Sequence, residues 1–159
     1  MSQDASPPPP KAANPSARRV LALDLGEVRV GVAVSDPLGI TAQPVETIAF
    51  TGDKALARRI AELCARWDVA EVLVGHPVGS DGRGTERAAL AERFAKRLEP
   101  TIRRRVRLVD ERFSTAEAER NLIAADLSRE ERRACIDQEA ARIFLQSELD
   151  RRRIVADAP

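Results

Sequence analysis

The sequence predicts an α/β fold: a mixed sheet of about five strands flanked by helices. Three observations predict it. Two short apolar runs near the start, the second rich in valine and glycine, are joined by so short a polar segment that they can pair only as an antiparallel hairpin. Farther on, short apolar runs alternate with segments of helical periodicity, the strand-helix-strand-helix-strand order of a parallel sheet portion. The chain's 159 residues, 43% hydrophobic and 32% charged, suit one globular domain with a core of its own.

The elements follow in order. Residues 1–17 contain a PPPP run and no apolar periodicity, and read as a disordered or polyproline-like tail. The domain is expected over residues 18–153, with a short tail over 154–159. Val20 to Asp24 and Val30 to Ser35 form the hairpin, linked through Glu27, Val28 and Arg29. Gln43 to Phe50 is a third strand, antiparallel like the first two, and Pro44 places its start at a sheet edge or a strand entry. A helix is predicted from about Asp53 to Trp67, with Leu56, Ile60, Leu63 and Cys64 on its apolar stripe. Glu71 to Gly75 is a buried strand, and a polar, glycine-rich segment follows from His76 to Gly84. The next helix runs from about Thr85 to Leu98 and is predicted to stop before Pro100. Val106 to Asp110 is the last strand, and Ser114 with Glu117 forms a capping box for another helix. The final helix carries Ile136, Ala140, Ile143, Phe144 and Leu149, and is expected to start close to Asp137.

Bulk properties exclude several function classes. No apolar run is long enough to span a bilayer, and the N-terminus lacks a charged start followed by an apolar stretch, so a cytoplasmic location is expected and no membrane partner. Cys64 and Cys135 lack CxxC spacing and the chain has one histidine, which disfavours a zinc site and points to two reduced thiols. The net charge of +1 conceals arginine clusters at 103–105 and 151–153. These suit either phosphate contacts or the solvated ends of elements. Trp67 and the four phenylalanines show no spaced aromatic platform for stacking bases.

Ligands in open α/β sheets bind beyond the carboxyl ends of the parallel strands. Asp24 ends the first apolar run, and Asp110, Glu111 and Arg112 end the last. A final helix packed back over the sheet could bring Asp137 to the same edge, although Asp137 fits equally a favourable charge near a helix start. Asp110 could instead orient Arg112. Carboxylates converging without Cys or His suit a hard cation with oxygen ligands, Mg²⁺ or Mn²⁺. Such ions, about 4 Å apart when paired, activate water against a phosphodiester. Gly26 beside Asp24 would let substrate or metal approach closely. His76 is read as a hydrogen-bonding loop residue. Asp81, Gly82 and Gly84 form a turn ahead of a helix whose N-terminus suits phosphate, without the ending of a P-loop.

Four ordered segments, ALDLGEVRVGVAVSD, VLVGHPVGSDGRGTE, VRLVDERFST and IDQEAARIFLQSELD, resemble the YqgF (RuvX) family over about Arg18 to Arg152. The resemblance implies a ribonuclease H-like fold and a hydrolase acting on ester bonds, a metal-dependent nuclease for pre-16S ribosomal RNA or, alternatively, for Holliday junctions. It implies Asp24, Glu111 and Asp137 as the catalytic, metal-holding acids. Arg29, Asp81, Gly82, Arg112, Ser114 and Thr115 are the expected substrate-binding residues. The loop GHPVGSDG departs from the family's common GLPLNMDG at His76 and Gly79, while Asp81 and Gly82 are retained.

The expected partner is nucleic acid: pre-16S ribosomal RNA, a ribosomal precursor particle or branched DNA. A monomer or weak homodimer is expected, and symmetric junction cleavage would need the dimer. Two other classes compete. Actin-like ATPases and sugar kinases use a similar Asp-x-Gly hairpin but clasp nucleotide between two domains, and this chain has room for one. A non-catalytic module for ribosome assembly or transcription would keep the carboxylates without the activity.

Overall fold

The hairpin forms as the sequence predicts, β1 (Arg19–Leu25) running antiparallel to β2 (Arg29–Ser35). The computed structural model describes residues 18–76, 86–110, 120, 124 and 128–159. The turn closes through the Gly26 N–H, which donates to the Arg29 carbonyl at 2.8 Å. A Cβ on Gly26 would sit 2.6 Å from that same oxygen. The glycine is therefore required by the turn itself, a nearer cause than the substrate approach expected from the sequence.

β3 (Ala42–Ala49) adds antiparallel to β2, and one residue bulges out of register between Val32 and Ala33. The bulge falls beside Pro44, which has no N–H to give the ladder and lies on an edge strand as predicted. β4 (Val69–His76) and β5 (Arg105–Asp110) pair in parallel beyond β1, giving the order β3-β2-β1-β4-β5.

Strand alternation separates two cores. Leu21 and Leu23 of β1, with Val30, Val32 and Val34 of β2, pack under α1 (Asp53–Trp67) and α2 (Glu86–Ile102). Val20, Ala22 and Ala33 face the other way, toward α3 (Arg129–Ala156). With both faces covered, the central strands are continuous apolar runs. Among the described residues, no helix is long and apolar enough to cross a membrane.

α1 matches its predicted bounds and buries Leu56, Ile60, Leu63 and Cys64. Both cysteines are free, and burial pushes the Cys64 thiol up to about 11, so it stays protonated and unreactive. α2 does not stop before Pro100; it runs on to Ile102. Ile102 is buried in the core, the Thr101 hydroxyl donates to the Arg97 carbonyl at 3.0 Å, and Arg103 closes the helix at φ 55°. Burial and this side-chain bond offset what proline removes from the last turn. The capping box predicted at Ser114 and Glu117 lies outside the described residues.

α3 starts at Arg129, well before Asp137, and continues through Ala156. Its start is set by a capping box: the Ser128 hydroxyl accepts from the Glu131 N–H at 3.2 Å, and the Glu131 carboxylate accepts from the Ser128 N–H at 2.7 Å. Toward its middle, Gln146 accepts from the Ala42 N–H at 2.8 Å and donates to the Ile40 carbonyl, anchoring the helix to the β2–β3 connection.

The buried Glu148 accepts from Arg151 and Arg152, and Arg152 reaches on to Glu71 at 2.9 Å. Hydrogen bonds from Arg151 hold this carboxyl below its ordinary value against the opposing effect of burial, and Arg152 adds to them. A carboxyl with a depressed folded-state pKa stabilises the fold above its unfolded value, near 4.3, and loses that contribution as pH falls. Wild type is accordingly expected to exceed Glu148→Gln by about 2 kcal/mol at neutral pH. The gap should close as pH falls from 5 toward 3, read from denaturation midpoints of both proteins.

Candidate active site

Asp24 is the last acid on β1 before the turn, and only 7% of it is exposed. Alternation from Val20 and Ala22 turns it to the α3 face of the sheet. Directly across the ladder lies Gly31. A Cβ on Gly31 would fall 2.0 Å from the Asp137 carbonyl oxygen and 2.6 Å from the Gln138 nitrogen. The α3 backbone therefore rests on the bare backbone of β2, and no residue other than glycine fits between them. This contact places Asp137 beside the strand pair that carries Asp24.

Asp137 thus arrives from within α3, about two turns from its first residue, not at the opening of the helix as expected. A mid-helix position fixes the acid more rigidly than a frayed end would. Arg29, at the start of β2, donates from Nε to Asp137 Oδ2 at 3.0 Å. Asp137, Arg29, Gly26, Glu27 and Val28 line a depression of about 230 Å³ with Arg87, which donates from Nη2 to the Leu25 carbonyl at 3.0 Å and ties the start of α2 to the hairpin.

Two further residues shape the site, and the sequence signals one of them. Arg87 is one of 26 basic residues and follows a loop with no motif pointing to it. Gly31 had a signal that was available, a lone glycine inside the strand RVGVAVS, where glycine ordinarily weakens pairing.

Asp110 pairs with His76 at the ends of β5 and β4. Val109 packs toward α3, so alternation turns Asp110 away from the face that holds Asp24. His76 bonds through Nε2 to Glu92 Oε1 at 3.0 Å, a hydrogen-bonding role as read from the sequence. Four of the six clustered arginines are held by contacts within the fold, while Arg103 and Arg105 are exposed. Arg104 donates to the carbonyls of Val69 and Ile102, while Arg151, Arg152 and Arg153 pair with Glu148, Glu71 and Asp150. Val69 and Arg105 begin β4 and β5, at the end of the sheet opposite Asp24.

Glu111, Asp81, Gly82, Arg112, Ser114 and Thr115 lie outside the described residues. Among the described residues, no three His, Cys, Asp or Glu side chains form a cluster that could hold a metal ion. The Asp137 carboxylate, in one depression with the guanidinium groups of Arg29 and Arg87, offers oxygen suited to a hard divalent cation beside donors suited to a phosphate.

Comparison with known proteins gives these features a context. RuvC of Thermus thermophilus in complex with a Holliday junction substrate superposes with a TM-score of 0.52 at 14% identity, covering 86% of this chain and 96% of that one. Free RuvC from the same organism gives 0.51 at 13% identity, with 85% and 96% covered. These likenesses establish the ribonuclease H-like fold. A protein of Geobacillus kaustophilus named "putative pre-16S rRNA nuclease" is 48% identical over 138 residues, covering 85% of this chain and 99% of its own. One of the same name from Myxococcus xanthus is 43% identical over 135 residues, covering 85% and 89%. The model of the RuvX family, described as Holliday junction resolvase, matches residues 18–151, and the chain belongs to that family.

Proposed function

We propose that the protein is a metal-dependent nuclease that hydrolyses phosphodiester bonds in the 5′-end maturation of pre-16S ribosomal RNA. Asp24, Glu111 and Asp137 are the acids assigned to the metal. The observation that carries this reading is the contact at Gly31, which brings an acid from α3 to the strand pair of a buried acid on β1. Uncompensated, neighbouring carboxylates repel one another, and a divalent ion removes that penalty. When bound, Mg²⁺ or Mn²⁺ supplies an activated water and charge neutralisation at the phosphate. Glu111 is taken from its segment on the family resemblance, and strand alternation, which turns Asp110 away from the Asp24 face, supports that choice.

The remaining roles belong to binding. Arg29 holds Asp137 through Nε, which leaves its terminal nitrogens for a phosphate oxygen. Arg87 brings a second guanidinium to the same depression. Asp81, Gly82, Arg112, Ser114 and Thr115 are the further substrate contacts of this proposal. The names of the relatives support RNA as substrate, whereas the family description supports branched DNA; a cytoplasmic place of work is part of this proposal.

The test offers one preparation pre-16S RNA and a four-way DNA junction side by side, with Mg²⁺ or Mn²⁺ and with chelator. Metal-dependent cutting of the RNA near its mature 5′ end is expected, abolished by chelator. Cutting of the junction alone, by a dimer, would move the assignment to resolvase; no cutting of either would leave the non-catalytic module.

A further inference from the structure

Beside the candidate site lies a second cavity of about 370 Å³, and Gly26, Glu27 and Arg87 line both. Its floor is apolar: Leu25, Leu56 and Phe94 come from β1, α1 and α2. Phe50, just past β3, and Leu90, on α2, stand at its mouth, 41% and 53% exposed. Two phenylalanines 44 residues apart in sequence thus meet in one cavity, which no spacing pattern could reveal. The cavity continues through Asp53, Phe94 and Arg97 into a groove between α1 and α2.

The rim of this continuous channel is basic. Arg87, Arg93, Arg97, Lys54 and Arg58 line it, against the carboxylates of Glu27 and Asp53. One of those carboxylates, Asp53, is already paired with Arg97 at 2.9 Å. A channel with an apolar floor, an accessible aromatic ring and a cationic rim matches the two parts of a single nucleic-acid strand, its base faces and its phosphates. The cavity volume falls in the range that accepts a small ring system. A duplex would offer the rim its phosphates but keep its base faces stacked inside, leaving the floor uncovered. A second copy across a twofold axis would set this cationic face against itself, which like-charge repulsion opposes.

We propose that the channel holds a single-stranded stretch of the nucleic-acid substrate flanking the bond to be cut. An unpaired base lies against Phe50 and Leu90, and phosphates follow the α1–α2 rim past Arg93. The inference rests on the nuclease reading, because the channel gains its role by opening into the candidate site at Arg87. It goes further by specifying a substrate with an unpaired flank.

The test measures binding separately from cutting. Fluorescence anisotropy in chelator compares a labelled 12-nucleotide oligouridylate with a duplex of equal length, for wild type, Phe50→Ala and Arg93→Glu. Both replaced side chains are solvent-accessible, and matching denaturation midpoints confirm that the variants are folded. The single strand is expected to bind wild type more tightly than the duplex does, and each variant to weaken it about 5- to 100-fold. With 4-thiouridine in the strand, crosslinks should map to the segment around Phe50. Equal affinity of wild type and both variants for the single strand would overturn the proposal. So would a dimer that Arg93→Glu converts to monomer with RNA affinity unchanged, since a second copy would then occupy the face. Cleavage of pre-16S RNA with Mg²⁺ is scored independently. Wild type that cuts, with variants that bind undiminished, sinks the channel alone; wild type that binds through the channel and cuts nothing sinks the nuclease reading alone.

Discussion

Replacing Gly31 by alanine is expected to destabilise the fold by about 3 kcal/mol or more, and valine should cost more again. The sign is informative. Inside a strand, glycine is ordinarily a weak residue, and a side chain there would improve stability by about 0.5–1 kcal/mol. Here the new carbon would meet the Asp137 carbonyl at 2.0 Å on the oxygen and 2.1 Å on the carbon. Those are helix backbone atoms, so relief requires α3 to lift away from β2 rather than a side chain to turn aside. Lifting α3 also carries Asp137 away from Asp24, and cleavage should fall together with the denaturant midpoint. A Gly31→Ala protein as stable as wild type would show that α3 does not approach β2 this closely.

The largest effect on activity is expected from Asp24→Asn. Asparagine keeps the volume and can keep hydrogen bonds at a position only 7% exposed, but it removes the charge that would hold a divalent cation. A metal-supported phosphoryl displacement draws several kcal/mol from the ion, so losing a ligand should lower the cleavage rate on the order of 10³-fold. A second readout does not depend on turnover. Mg²⁺ binds the folded state and should raise the unfolding temperature of wild type in proportion to log concentration above Kd. It should do little for Asp24→Asn. If the variant cuts RNA as fast as wild type, or if both gain equally from Mg²⁺, Asp24 is a structural acid.

The contacts that the sequence made legible are those that depend on local pattern. The approximate bounds of α1 are legible because one apolar stripe defines it, and in the structure a left-handed cap at Asp68 ends it. The short link forces the hairpin, and Pro44 narrows β3 to an edge or a strand entry, of which the structure has the edge. Where tertiary contact overrules local preference, the pattern misleads. Pro100 reads as a stop, yet the buried side chain of Ile102 pulls the helix past it. The start of α3 was placed too late because its first turns show little apolar periodicity, although Ser128 and Glu131 spell a capping box. At the candidate site, Asp24 stood out as an acid ending an apolar run. The approach of α3 to Gly31 and of Arg87 to the hairpin depend on pairs of segments far apart in the chain, which one sequence cannot display.

The small side chains under α3 set a depth. Ala22 and Ala33 of the sheet meet Ala141 of the helix, and Gly31 continues the same row with no side chain at all. On the opposite face, leucines and valines fill the space under α1 and α2. Drift in sequence should therefore be absorbed unequally by the two faces. Exchanges among leucine, valine and isoleucine under α1 and α2 alter stability but leave the acids where they are. One added methyl under α3 works as a shim, and its thickness is passed along a stiff rod to Asp137. Over generations the first face can be retuned to new temperatures, while the second keeps its gauge for as long as the acids at its end are used.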